Sequence, residues 1–253
     1  GRYVSFRMIH MVQGAYYAKS FAKHGELHNP YAFGYFERVP AAAYKGFHVT
    51  PGGTIYQGDT FPPEYRGRFV ANDLLEHTVQ WSALEPWGTT FKGKFDGHLL
   101  VANDTWFAPS DTMQGPDGAV YVADWSDQRM SHPDPDAEWD RSNGRIYRIQ
   151  AQAAAGGSAA QAFARIVPGG SIGGLSGPEL LALLEQPNNW YVRQARSELT
   201  RRRDSTLYPR LRDLVEAGGD RQVALEALWA LHTSGGADEA WLRVQLRHVS
   251  PRL

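Results

Sequence analysis

Cysteine is absent from the 253 residues. That excludes disulfides, thiolate metal sites, cysteine nucleophiles and covalent c-type haem attachment, so no haem is expected in this chain. Also missing is any apolar run near the roughly 18 residues of a membrane span. Neither charge sign dominates: 26 Lys and Arg face 27 Asp and Glu, for a net charge of −1. No broad positive field is available for a phosphate backbone, and nucleic acid is not expected as a partner. The sequence has no Gly-x-Gly-x-x-Gly loop and no Walker loop. Nucleotide chemistry therefore falls away. The openings Gly1-Arg2-Tyr3 and His248 to Leu253 read as cuts within a longer protein.

What is present divides into two grammars. Residues 1–150 carry short β-prone runs separated by Gly, Pro, Asn and Asp: Gly53 to Gln57, Arg68 to Ala71, His77 to Trp81, Ala119 to Ala123 and Arg145 to Ile149. Their length and their β-branched or aromatic content predict strands. Two turn tripeptides, Pro51-Gly52-Gly53 and Pro116-Asp117-Gly118, each lead into an apolar strand, 65 residues apart. Read as a repeat, this predicts radially arranged four-stranded sheets, that is, about two to three C-terminal blades of a β-propeller.

Residues 151–174 are rich in Ala, Gly and Ser and read as a linker, with Phe163 to Val167 as a candidate closing strand. From residue 175 to 253 the period becomes helical. Leu180, Leu211 and Leu242 recur at a spacing of 31, as do Leu184, Val215 and Leu246. Helices are predicted over Pro178 to Gln186, Trp190 to Arg203, Pro209 to Ala217, Arg221 to His232 and Asp238 to His248, stacked as HEAT-like α-solenoid repeats. Ser176 with Glu179 reads as a capping box. His232 is placed on the inner helical face beside Trp229.

Several stretches carry a family likeness: Gly53 to Gly67, Phe6 to Gly14, Leu100 to Phe107, Gly115 to Asp127, Trp139 to Ile149, Asn189 to Arg193 and Ala227 to Gly236. Together they resemble the planctomycete-type membrane-bound dehydrogenase-like proteins, a group that often ends in a haem-binding cytochrome c domain. The resemblance implies an exported protein, periplasmic or extracellular, that oxidises a sugar or alcohol. A PQQ-like quinone and Ca²⁺ are the implied cofactors, and electrons would pass to a cytochrome c domain outside this chain. Ala108 stands where the resemblance calls for Arg, and no His-rich run precedes His48. Both favour the alternative, a non-catalytic propeller binding carbohydrate or protein, with the helical repeats as a surface for a protein partner.

Three polar groups are the candidate sites. Asp124, Asp127 and His132, with Asp134, Asp136, Glu138 and Asp140 in the following loop, have the donor types for a divalent cation, although the spacing fits no EF-hand or zinc pattern. His48, Asp59, Asn72, Asp73 and His77 offer imidazoles as general base for a hydroxyl proton, His132 being a third candidate. Asp104, Trp106 and Asp111, together with Trp125 and Arg145, offer ring-stacking faces, hydroxyl acceptors and a cation for substrate. Each group has a structural alternative: solvated acidic loop, capped turn, or core aromatic. His10 reads as a satisfied core histidine.

Overall fold

Strands form where the β-prone runs predict them and also where charge and glycine hide the pattern. In a computed structural model that describes residues 8–17, 25–36, 39, 41–42, 50–128, 142–151, 158–218, 221–250 and 253, ten strands occur. They are β1 (Ala15–Tyr17), β2 (Gly34–Phe36), β3 (Ala41–Ala42), β4 (Gly53–Ile55), β5 (Phe69–Asp73), β6 (Thr78–Trp87), β7 (Thr90–Val101), β8 (Pro109–Gln114), β9 (Val120–Asp124) and β10 (Arg145–Ile149). Six helices follow: α1 (Ala159–Ile166), α2 (Gly177–Leu183), α3 (Asn189–Arg202), α4 (Tyr208–Gly218), α5 (Gln222–Ser234) and α6 (Glu239–Gln245).

The chain divides into two units. The first takes its described residues from 1–56, 64–113 and 120–149, the second from 57–63, 114–119 and 150–253. In the first unit the strands make three open sheets: parallel β1-β2, five-stranded β3-β7-β6-β5-β4, and three-stranded β10-β9-β8. The long β6-β7 hairpin carries two register shifts, at Val79/Gln80 and Trp81/Ser82. Such irregularities sharpen the local twist. Val70, Val79 and Tyr56 are fully buried, and the Tyr56 and Tyr65 rings pack on Trp81 with centroids 6.0 and 4.9 Å away.

This corrects the expected architecture. A partial β-propeller of two to three blades followed by HEAT-like α-solenoid repeats is not what the described residues build. The sheets differ in size, none closes, and two strand pairings are parallel. The two turn devices are not equivalent either. Pro51-Gly52-Gly53 opens the three-residue edge strand β4, whereas Pro116-Asp117-Gly118 leads into β9, the central strand of another sheet. Similar turn chemistry thus serves two different pairings, and the 65-residue recurrence is not a structural period.

In the second unit, Phe163 to Val167 form no strand. Ser158 and Gln161 make a capping box that starts α1 across this stretch. Ser176 and Glu179 cap α2 in the same way, as expected. The 31-residue spacing is honoured twice and then fails: Leu184 and Val215 are buried, but Leu246 is 84% exposed. His232 is exposed rather than inward. Trp229 is also exposed, with the Arg196 guanidinium 4.9 Å above its ring. The core gathers Leu180, Leu183, Val192, Leu199, Leu211, Val215 and Leu231. Residues 57–63 and 114–119 belong to this unit. Asn188, which caps α3, donates to the carbonyls of Gly115 (3.2 Å) and Pro116 (3.1 Å) and accepts from Gln114 Nε2 (2.6 Å).

Candidate functional site

One end of the three-stranded sheet collects most of the predicted site residues that are described. Its centre is the turn Asp104 to Ala108. Asp104 Oδ1 accepts from the Trp106 amide at 2.9 Å, an Asx turn that leaves Trp106 half-buried. The next two residues form the floor: Phe107 is buried and packs edge-on against Tyr147 of β10 at 5.5 Å. Three neighbours tie to this turn. His77 places Nδ1 2.8 Å from the Phe107 carbonyl oxygen. Asp124 Oδ1 accepts from the Ala108 amide at 2.9 Å. The Trp125 amide donates to the Ala108 carbonyl at 2.9 Å.

Backbone conformation marks the same place. Among the described residues four non-glycine residues have positive φ: His77 (56°), Asn103 (51°), Ser126 (61°) and Arg203 (52°). Arg203 is the C-cap of α3, an ordinary place for a left-handed residue. The other three lie around the Asp104–Ala108 turn, and the Ala102 amide next to Asn103 donates to the His77 carbonyl at 3.3 Å. Left-handed backbone costs a side-chain-bearing residue about 1–2 kcal/mol and gathers where function holds it in place.

Exposure completes the surface. Trp125 is 62% exposed, and Asp104 and Arg145 are also open to solvent, Arg145 pairing in register with Asp124 across β9-β10. An indole left in water keeps its flat apolar face and its N–H open to a ligand. A carbonyl can only accept, so the Phe107 contact places the His77 proton on Nδ1 and leaves the lone pair on Nε2. Next to it, Glu76 has its carboxyl held above the usual glutamate range, first by burial and then by the charge of Asp73, with His98 opposing. Asp73 Oδ1 accepts from the Glu76 amide at 3.2 Å.

Asp111, Asp59 and Asn72 are elsewhere. Asp111 is exposed on β8, where its Oδ1 accepts from the Thr112 amide at 2.8 Å and its backbone abuts Gly52. Asp59 is in the second unit. Asn72 is buried and spends its amide on Pro51 and Thr112. Asp127 is half-buried just after the Trp125 turn. Asp124 is almost fully buried and accepts from two backbone amides, Ala108 and Ser126. Among the described residues no three His, Asp or Glu side chains are grouped to hold a metal ion. His48, His132, Asp134, Asp136, Glu138 and Asp140 lie outside the described residues. His10 is half-buried with its ring edge-on to Phe91 at 5.3 Å.

Sequence reasoning missed Glu76, Asn103 and Ser126. Asn103 alone carried a signal, since asparagine tolerates the left-handed region.

Residues 19–153, over half of the chain, match the family described as "Domain of unknown function (DUF7133)", and the chain belongs to that family. No curated protein and no solved structure matches it. Among the described residues no helix is long and apolar enough to cross a membrane.

Proposed function

We propose that the strand-rich unit binds carbohydrate at the end of its three-stranded sheet, with Trp125 as the stacking platform. The supporting observation is the coincidence of an indole 62% exposed with three left-handed non-glycine residues around the Asp104–Ala108 turn. A sugar's C–H face lies on an indole by dispersion and the hydrophobic effect, while Asp104 and Arg145 at the rim address its hydroxyls. Trp106, half-buried in the same turn, supplies the wall. Glycan-array screening of the chain, followed by calorimetric titration of the best oligosaccharide, tests this. Trp125→Ala is expected to weaken binding at least about tenfold, or about 1.4 kcal/mol. A chain that binds no glycan, or a variant that binds as well as wild type, overturns it.

Oxidation of the bound sugar or alcohol is a second reading, supported by His77. With its proton on Nδ1, Nε2 is the atom to take a hydroxyl proton while hydride passes from carbon to a quinone. Sugar-dependent dye reduction, assayed with added quinone and Ca²⁺ and with cytochrome c as acceptor, distinguishes the two. Turnover that His77→Gln abolishes supports oxidation; glycan binding without turnover selects the binding reading.

A further inference from the structure

We infer that Asp124 is a positioning residue, whose carboxylate pins the turn bearing Trp125 to the turn bearing Trp106. The inference rests on the carbohydrate-binding reading and adds a residue that never touches the sugar.

Three hydrogen bonds make the clamp. Oδ1 of Asp124 accepts from Ser126, two residues on, at 2.8 Å, and from Ala108, in the other turn, at 2.9 Å. The Trp125 amide returns a bond to the Ala108 carbonyl at 2.9 Å. Trp125 is thus held by its own amide and by both flanking residues, while its indole stays in solvent. The first bond closes an Asx turn that steers Ser126 into its left-handed φ of 61°. Without it the chain relaxes towards extended backbone, and the turn bearing Trp125 loses part of its tie to the turn bearing Trp106. Asp124 is 6% exposed, and hydrogen bonds from backbone N–H groups to an ionised carboxylate are strong there. A platform fixed before binding loses little conformational entropy when the ligand arrives.

The test uses the full chain labelled with 5-fluorotryptophan. Its 8 tryptophans give separate ¹⁹F lines, and Trp125→Phe identifies the one from Trp125. Asp124→Ala is expected to move or broaden that line with no sugar present, to leave the line of Trp87 in place, and to weaken glycan binding about tenfold. Asp124→Asn keeps an acceptor oxygen and should restore both readouts to within about threefold of wild type. Should Asp124→Ala fail to fold, hydrogen exchange on the wild type decides: the amides of Ala108, Trp125 and Ser126 must exchange more slowly than that of Thr105. An unmoved Trp125 line in a folded Asp124→Ala, or fast exchange at all three amides, overturns the inference. No glycan binding by the wild type, together with a moved Trp125 line in Asp124→Ala, refutes the carbohydrate reading and leaves the positioning role standing.

Discussion

The ring of His77 is fixed by one backbone atom, the Phe107 carbonyl oxygen 2.8 Å from Nδ1. That contact ties the turn after β5 to the turn after β7. It also selects the tautomer that is the minor one for free histidine. Nitrogen-15 NMR of the neutral imidazole should therefore give a protonated Nδ1 and an unprotonated Nε2. The reverse pattern would remove His77 as a base. His77→Ala should cost about 1 kcal/mol in urea unfolding, the usual net loss of one hydrogen bond.

Ser126 is held at a φ of 61°, where a Cβ is unfavourable and glycine is at ease. Ser126→Gly is expected to leave stability unchanged or raise it by up to about 1 kcal/mol, relief of strain being partly offset by the entropy of glycine in the unfolded chain. Ser126→Val places a branched carbon in the same region and should lose about 2 kcal/mol or more. Equal effects of the two in denaturant titrations would mean that the turn is not strained.

Asn188 is only 2% exposed and spends its whole amide. Its oxygen accepts from the Trp190 amide at 3.0 Å, capping α3, and from Gln114 Nε2, while its nitrogen donates to Gly115 and Pro116. Asn188→Ala should destabilise the helical unit by about 2–4 kcal/mol, from the lost cap and the buried groups left unpaired. Asn188→Asp retains the cap but turns a carboxylate towards two carbonyl oxygens, so it should recover little of that loss. Thermal unfolding followed by helical circular dichroism reads both.

The uneven legibility of this chain has physical causes. The strands containing Thr54, Val70, Val79, Val122 and Ile146 were readable because β-branched residues and bounding turns mark them. β7 was not, since Lys92, Gly93, Lys94, Asp96 and Gly97 break the apolar pattern, and the long partner β6 supplies what the local sequence does not. Helices α2 to α6 stood out by period, with Leu180, Val192 and Leu211 buried as expected. α1 was hidden by its small residues, and its capping box of Ser158 and Gln161 was the missed cue. For the site, Trp106, Trp125, Arg145 and His77 were readable as residue types. Their meeting place was not, because it depends on bonds to the backbone of Phe107 and Ala108, which no side-chain pattern encodes. Asp124 shows the same limit: a carboxylate in a sequence looks like a ligand, whereas its hydrogen bonds to the backbone amides of Ala108 and Ser126 leave no trace in residue types.

Glu198 gives the helical unit an acid-sensitive contact. Its carboxylate accepts from Arg201 at 2.8 and 2.6 Å and from Arg202 Nε at 2.6 Å. These guanidinium hydrogen bonds, that of Arg201 foremost, hold its carboxyl down to about 2, against partial desolvation that works the other way. A pKa depressed on folding means that the unfolded chain binds the proton more tightly. The contact's stability is then full above the unfolded glutamate value of about 4.3 and is lost as pH falls towards about 2. Wild type should therefore lose stability across that window faster than Glu198→Gln, and the two curves should meet near its lower end. Because Arg201 reaches into solvent, salt at about 1 M should narrow the gap. Curves that stay parallel from neutral pH to the acid limit would show that the pair contributes nothing to folding.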